Sequence, residues 1–411
     1  MLDLSACQRL DAADPLAALR DRFAPADPGT LYFDANSIGA MPKDAPARLA
    51  AVMEQGWRVQ RRRSWSVLDW LDAPRKIGAG LAHIIGAEPD DVIATGDTTT
   101  GLFKLLAYAW NIRKPGTDTV LCEVGTFSTD IYVAQGLRRL LGEGMKLKIV
   151  ESGDVLAAID ASTAIVYLSH VDYRASRRWD MAAVSKLATE RGALTIWDLS
   201  HAAGAVRIEL QASGADFAVT CGYKYLCGGP GSPALIWMAK RHQNKAWPAV
   251  CGWMGHADTF AFEKDYRPAP GLGLFQAGTP PVLGNAAMMA AVDIWRDVDP
   301  VQSAAKHGKL SQTLITLVDQ ELTPFGVTVT SPRDYAVQGG HVAIKHAAAE
   351  QVMAAVLDAG VVCSFRGPDS IRFGLGPLYT SYVDLWEAVQ RLKTVLKNET
   401  WRDPKYGKAP I

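Results

Sequence analysis

Asp198 closes the apolar run Thr195-Ile196-Trp197, and Lys224 closes a second run that begins at Phe217 and precedes the Gly-rich tail Gly228-Gly229-Pro230-Gly231. Apolar runs of this length read as buried strands, so a carboxylate and an amine should stand at neighbouring strand ends. That pairing suits pyridoxal phosphate. A lysine forms a Schiff base with its aldehyde, and a carboxylate keeps the pyridine nitrogen protonated so that the ring accepts electrons from a carbanion. Each residue alone has a plainer reading: Asp198 as the cap of a helix begun by Ser200-His201, and Lys224 as an exposed loop lysine.

The elements that would position the pair read as repeated strand and helix. Strands are expected at Val92–Thr95, Thr119–Glu123, Lys146–Val150, Ala164–Ser169 and Leu194–Asp198. Helices are expected at Leu102–Trp110, Thr129–Leu141, Val155–Asp160 and Met181–Arg191. This alternation predicts an α/β fold with a mostly parallel sheet flanked by helices. Thr98-Thr99-Thr100-Gly101 reads as a polar turn that delivers hydroxyls and free N–H groups to a helix start, a phosphate cradle. Thr98, Thr99, Phe127, Asp130, Ser169, Asp198, His201 and Lys224 all follow strand ends, where ligands of such sheets bind.

Upstream, helices are expected at residues 5–20, about Ala45–Arg62 and about Pro74–Ile85, with Trp65 and Trp70 in a short connection that could wall an aromatic ligand. Pro248 to Pro281 is rich in Gly and Pro, and a loop of that length is usually functional. A long helix from about Asn285 leads into a smaller α+β domain, with strands near Val327–Thr330, Val342–Ile344, Val361–Ser364 and Ile371–Gly374 and helices near Gln351–Ala359 and Tyr382–Lys397. The division is residues 1–45 as an N-terminal segment packing with the small domain, 46–284 as the large domain and 285–411 as the small one.

The 43 basic and 43 acidic residues among 411 cancel, which gives no electrostatic reason to expect nucleic acid or an anionic membrane as partner. The triple Arg61-Arg62-Arg63 is too short to change that. No stretch approaches the roughly 18 uninterrupted apolar residues of a membrane span. The six cysteines have no metal or redox spacing, so reduced thiols in the cytoplasm and no bound metal are expected.

Taken together, Asn36-Ser37-Ile38-Gly39, Ser64-Trp65, Phe127-Ser128-Thr129-Asp130, Trp197-Asp198-Leu199-Ser200-His201, Gly222-Tyr223-Lys224-Tyr225-Leu226, Gly252-Trp253, Gly278-Thr279-Pro280-Pro281 and Ile371-Arg372-Phe373-Gly374 occur in this order. The combination resembles the fold-type I pyridoxal phosphate enzymes of the class V aminotransferase group, and within it the kynureninase family. The resemblance implies that Lys224 holds the cofactor and shuttles protons, that Asp198 pairs with the pyridinium nitrogen and that Phe127 stacks on the ring. Asp130, Ser169 and His201 would complete the polar surround. Thr98, Thr99, Tyr223, Trp253 and Thr279 would contact phosphate or cofactor, with Trp253 and Thr279 reaching across a homodimer interface into a shared site. Arg372 would take the substrate α-carboxylate, and Asn36, Ser37, Trp65 and Ser66 would lie near an aryl ring. Tyr223 would relay a proton.

The implied activity is hydrolytic Cβ–Cγ cleavage of L-kynurenine or its 3-hydroxy form. Alternatives are a related hydrolase of another aryl amino acid, a class V aminotransferase, a cysteine desulfurase or a non-catalytic binder of the cofactor. Cys363 reads as core rather than as a desulfurase nucleophile. The sequence departs from the family pattern at Ser66 and Cys227, where asparagine is usual, at Ala175-Ser176, where Thr-Gly is usual, and at Leu274, a commonly basic position.

Overall fold

The computed structural model describes residues 2–407. Its strands are β1 (Leu31–Tyr32), β2 (Val92–Thr95), β3 (Thr119–Glu123), β4 (Lys146–Val150), β5 (Thr163–Ser169), β6 (Leu194–Asp198), β7 (Phe217–Thr220), β8 (Ala234–Met238), β9 (Thr328–Val329), β10 (His341–Lys345), β11 (Val361–Val362), β12 (Ser364–Arg366) and β13 (Ser370–Gly374).

Seven of them form one sheet in the order β2-β8-β7-β6-β5-β3-β4. β4, β3, β5, β6 and β7 run parallel, whereas β8 returns antiparallel between β7 and β2. Every residue of β2, β3, β5, β7 and β8 is buried, as expected where helices cover both faces and the strands are continuous apolar runs. The register places Ser169 opposite Asp198 and Asp198 opposite Val219, so the polar residues that end these strands face one another across the sheet's carboxyl edge.

Several helices differ from the sequence reading. Helix Thr98–Ile112 starts at Thr98, four residues before the expected Leu102, because Asp97 and Thr100 form a capping box: Thr100 N–H donates to Asp97 Oδ1 at 2.9 Å and Asp97 N–H to Thr100 Oγ1 at 3.2 Å. No helix begins at Ser200-His201. Asp198 Oδ1 accepts both the Ser200 N–H (2.9 Å) and its hydroxyl (2.6 Å), and this local turn replaces a helical start. The expected helix over Ala45–Arg62 is α only to Ala51; Val52–Gln60 is wound as a π-helix. Trp70 lies directly over Gly56, whose carbonyl accepts the Ser64 hydroxyl at 2.6 Å as well as the Arg61 N–H, and this second donor draws it out of the α ladder. Residues 5–20 split into helix Leu4–Ala12 and a 3₁₀ turn Ala17–Arg22 around Pro15, which cannot continue a hydrogen-bond ladder.

Helix Val282–Trp295, assigned from sequence largely to the small domain, packs Met288, Ala291, Val292 and Trp295 into the core on the large sheet. Helix Pro300–Glu321 builds a second core with helices Ala349–Asp358 and Tyr382–Lys397 and the antiparallel sheet β12-β13-β10-β9. Cys7, Leu31 and Phe33 enter that core, and β1 pairs in parallel with β11. Between β8 and helix Val282–Trp295 the chain forms only short 3₁₀ turns. Close approach holds it folded: a Cβ on Gly252 would lie 2.2 Å from the Ala277 carbonyl oxygen.

Candidate active site

Lys224 sits in the turn after β7, half-buried, with Nζ 3.0 Å from His201 Nε2. An ammonium only donates, so Nε2 accepts and the His201 hydrogen lies on Nδ1, a buried atom without a protein partner. Burial, and next the Lys224 charge, hold the imidazole well below its usual pKa and therefore neutral. Phe127, 40 % exposed just before helix Ser128–Leu141, presents its ring 6.0 Å from Lys224 Nζ and meets Tyr173 edge-on at 5.3 Å. The Tyr223 ring lies 5.9 Å from the same nitrogen, and burial pushes its phenol pKa up.

Behind the lysine stand two buried carboxyls. Ser169 Oγ donates to Asp130 Oδ2 at 3.3 Å and accepts the Phe127 N–H at 3.3 Å. Burial, then the neighbouring Asp198 charge, push the Asp130 carboxyl well above the carboxylate range. Two such groups side by side need either a shared proton or a cationic N–H donor. A pyridinium nitrogen is such a donor. At the other end, the Asp97–Thr100 capping box leaves the N–H groups of Thr98 and Thr99 free at a helix N-terminus, which suits a phosphate. The residues present therefore fit pyridoxal phosphate, and Lys224, Asp198, Phe127, His201, Thr98 and Thr99 are the ones that could hold it.

The small sheet adds a buried cation. Arg372 is fully buried in β13 opposite Ser364 of β12. Its Nε and Nη2 donate to Ser364 Oγ at 3.3 and 3.1 Å, and Nη1 donates to the Tyr173 carbonyl at 2.6 Å. These bonds leave a second hydrogen on each terminal nitrogen, the arrangement a bidentate carboxylate takes. Burial brings its pKa down to about 10, so it remains cationic at neutral pH. Asn36, 1 % exposed, has neither amide atom paired and packs so closely on Gly374 that a Cβ there would lie 2.0 Å from Asn36 Oδ1. A buried amide without partners is costly unless a ligand satisfies it. Ser37 instead donates its hydroxyl to Asp34 Oδ1 at 2.9 Å.

Other expected site residues lie apart. Trp65 lines a separate cavity of about 830 Å³ with Trp57, Trp70, Arg58, Arg61, Arg62 and Leu283. Ser66 donates to the Arg63 carbonyl. Trp253, 39 % exposed, meets Phe260, and Thr279 is exposed. Among the described residues no hydrogen bond or ring contact joins any of these four to Lys224. Sequence reasoning missed Asp34, Ser364, the Tyr173 carbonyl and His341, whose buried ring is 5.9 Å from His201. Alternation along β12 was the available signal, because it puts Ser364 and Arg366 on the face that carries Arg372.

Two family departures, Cys227 and Ser176, both hold left-handed backbone with φ of 61°, a region that favours asparagine or glycine. Ser176 uses its hydroxyl there to accept the His341 N–H at 3.1 Å. Leu274 is core. Cys363 is buried, as expected, and Cys251, the one exposed cysteine, has a thiol pKa raised by desolvation, the opposite of an activated nucleophile.

The Kynureninase C-terminal domain family matches residues 304–392. Kynureninase from Pseudomonas fluorescens is 39 % identical over 404 residues, 97 % of each chain, and that from Deinococcus radiodurans is 41 % identical over 401 residues, 96 % of this chain and 97 % of its own. Among solved structures, a cysteine desulfurase from Thermococcus onnurineus superposes with a TM-score of 0.76 at 19 % identity, covering 93 % of this chain and 98 % of its own. C-DES with glycine covalently linked to its PLP cofactor superposes at 0.75 and 16 % identity, covering 91 % and 98 %. These two share the fold, a fold-type I α/β architecture, and the near-full-length relatives carry the assignment further: the chain belongs to the kynureninase family of pyridoxal phosphate enzymes.

Proposed function

We propose that this chain hydrolyses the Cβ–Cγ bond of L-kynurenine, or of its 3-hydroxy form, to L-alanine and anthranilate or 3-hydroxyanthranilate. The observation that carries the reading is the pairing of a half-buried Lys224 with a prepared Arg372, two cations whose charges both fall on the neutral His201 between the sheets. Bound pyridoxal phosphate supplies an aldehyde for the amino group and a ring that accepts the electrons released at Cα. Arg372 binds the α-carboxylate and fixes the amino acid's orientation. Lys224 takes the Cα proton and returns it after cleavage, with neutral His201 as the acceptor that holds its amine in place. Asp198 keeps the pyridine nitrogen protonated. Water adds to the γ-carbonyl, and collapse of that adduct breaks Cβ–Cγ: the oxygen stays with the aryl acid and Cβ takes a proton to become the alanine methyl. Tyr223, beside the lysine, relays that proton.

Addition of L-kynurenine and 3-hydroxy-L-kynurenine to the cofactor-loaded protein, followed by the fluorescence of the aryl acids, tests the reading. Release of neither aryl acid overturns it. Arg372→Lys should raise KM for every amino-acid substrate by roughly 10–100-fold, since a point charge on a flexible stem replaces two parallel charge-assisted bonds. Equal KM values in the variant and the parent would place the carboxylate elsewhere.

The working form we assign is a cytoplasmic homodimer with shared sites. Five buried, unpaired cysteines suit a reducing compartment, and no helix among the described residues is long and apolar enough to cross a membrane. Trp57, 69 % exposed, and the apolar wall around Trp65 suit burial against a second chain, as do the exposed Trp253 and Thr279. Mixing inactive Lys224→Ala chains with inactive Trp253→Ala or Thr279→Ala chains should restore part of the activity in hybrid dimers. A fully active monomer would remove the shared site. In that dimer the aryl ring meets Trp65 and Ser66, so Ser66→Asn should change the ratio of kcat/KM between kynurenine and its 3-hydroxy form.

A further inference from the structure

Glu123, the last residue of β3, is fully buried, and a buried carboxylate is costly unless its oxygens are paired. Oε2 accepts Arg177 Nη2 at 2.8 Å and Oε1 accepts the Trp179 indole N–H at 2.7 Å. The Arg177 guanidinium also lies 4.2 Å from the centre of the Trp179 ring, so the three side chains close on one another. Arg177 and Trp179 stand on the returning arm of a hairpin, residues 170–179, that leaves the carboxyl end of β5. Asp172 N–H donates to the Arg177 carbonyl at 2.8 Å and Trp179 N–H to the His170 carbonyl at 3.0 Å. The outgoing arm is fixed by β5 itself, and Glu123 fixes the returning arm to β3.

Tyr173 stands at the hairpin tip. Its carbonyl accepts Arg372 Nη1 at 2.6 Å, and its ring meets Phe127 edge-on at 5.3 Å. Asp172 Oδ1 folds the tip by accepting the Arg174 and Ala175 N–H groups at 2.8 and 2.7 Å. The turn from Glu123 to Phe127 packs on the same aspartate: a Cβ on Gly125 would lie 2.7 Å from Asp172 Oδ2, and Thr126 N–H donates back to the Glu123 carbonyl at 3.1 Å. Toward the small sheet, Ser176 accepts the Gly339 N–H on its carbonyl at 2.6 Å and the His341 N–H on its hydroxyl at 3.1 Å. One braced hairpin therefore touches both the ring beside Lys224 and the cation of the small sheet.

We propose that Glu123 is a positioning residue for substrate binding: by gripping Arg177 and Trp179 it holds the hairpin so that the Tyr173 carbonyl keeps Arg372 aimed at the substrate α-carboxylate. This role rests on the assignment of Arg372 to that carboxylate. A neutral carbonyl suits the task, because it takes one guanidinium hydrogen without neutralising the charge that the substrate needs. The carboxylate that does the holding stands one step away, paired with Arg177 rather than with Arg372. The role also accounts for a buried ion pair at a strand end, where well-packed apolar side chains of similar volume often hold a fold as well or better.

The test uses Glu123→Gln, Trp179→Phe, Arg372→Lys and the double variant Glu123→Gln/Arg372→Lys in the cofactor-loaded protein. Glutamine keeps the shape and one acceptor but removes the charge opposite Arg177; phenylalanine keeps a ring beside Arg177 and removes the indole N–H. Binding of L-alanine and of ethylamine, which is L-alanine without its carboxylate, is read from the change in cofactor absorbance. Glu123→Gln should weaken L-alanine binding and raise KM for kynurenine by roughly tenfold, with kcat changed far less and ethylamine binding unchanged. Trp179→Phe should do the same to a smaller extent. In the Arg372→Lys background Glu123→Gln should add little, because the group that it positions has gone. Parental L-alanine affinity in folded Glu123→Gln would overturn the proposal. So would an equal loss of ethylamine binding, which marks general loosening of the site, or an undiminished loss on top of Arg372→Lys. Should Glu123→Gln not fold, Trp179→Phe decides by the same comparison of L-alanine with ethylamine. Parental L-alanine affinity in Arg372→Lys would remove the assignment of Arg372 and the proposal with it. A parent protein that binds L-alanine but leaves kynurenine intact would defeat the assigned reaction alone, since the L-alanine measurements still decide the role of Glu123.

Discussion

Lys224→Ala should give a folded protein whose turnover falls by roughly 10²–10⁴-fold or more, the span expected when the group that moves the proton is lost. The turn around Lys224 does not depend on its side chain. Cys227 N–H donates to the Lys224 carbonyl at 2.9 Å and Gly39 N–H to the Tyr223 carbonyl at 2.8 Å, and both bonds survive truncation. A Cβ on Gly39 would lie 2.2 Å from the Lys224 carbonyl oxygen, so the backbone is clamped from outside. Circular dichroism and the melting temperature should therefore stay close to those of the parent. Loss of activity with those two unchanged assigns the effect to the amine, and partial recovery with added small primary amines would show that the missing group is a base. Turnover within about tenfold of the parent would remove Lys224 from the chemistry.

Asp198→Asn should have the second largest effect, a loss of roughly 10²-fold or more. An asparagine oxygen can still accept the Ser200 N–H and hydroxyl, so the turn after β6 stays intact. What disappears is the negative charge that holds a proton on the pyridine nitrogen. Asp130 complicates the outcome in a way that can be measured. Its carboxyl is raised first by burial and next by the Asp198 charge, so removing that charge makes Asp130 easier to ionise, and it then becomes the substitute anion. Near-parental turnover in Asp198→Asn, lost again in Asp198→Asn/Asp130→Asn, would transfer the role to Asp130. Strong loss in Asp198→Asn with a mild effect of Asp130→Asn alone is the expected pattern.

The parts of this site that were legible in the sequence are those set by local pattern. Val92–Thr95, Thr119–Glu123 and Leu194–Asp198 are strands at the residues where apolar runs lie, because a strand covered on both faces leaves no other reading, while Lys146–Val150 is the sheet's edge strand and keeps exposed residues. With the strands placed, their carboxyl ends placed Ser169, Asp198 and Lys224. What the sequence did not reveal depends on side-chain partners that the apolar pattern does not specify. Whether Ser200 begins a helix or a turn is decided by the Asp198 carboxylate, and whether Ala45–Arg62 stays α is decided by Trp70 and Ser64 crossing Gly56. Arg372 was legible by resemblance alone, and its supports were not: Ser364 reaches it through strand register, and Tyr173 through a backbone carbonyl that any residue type supplies. Trp65 and Ser66 carry no signal that says whose site they face.

Hydrolysis itself is tested most directly by isotope. The purified, cofactor-loaded protein is incubated with L-kynurenine in ¹⁸O-labelled water with no 2-oxo acid present, and both products are measured by mass spectrometry. The account predicts L-alanine and anthranilate in equal amounts, with one labelled oxygen in the anthranilate carboxylate. Kynurenine consumed only when a 2-oxo acid is added, with no anthranilate formed, would contradict it.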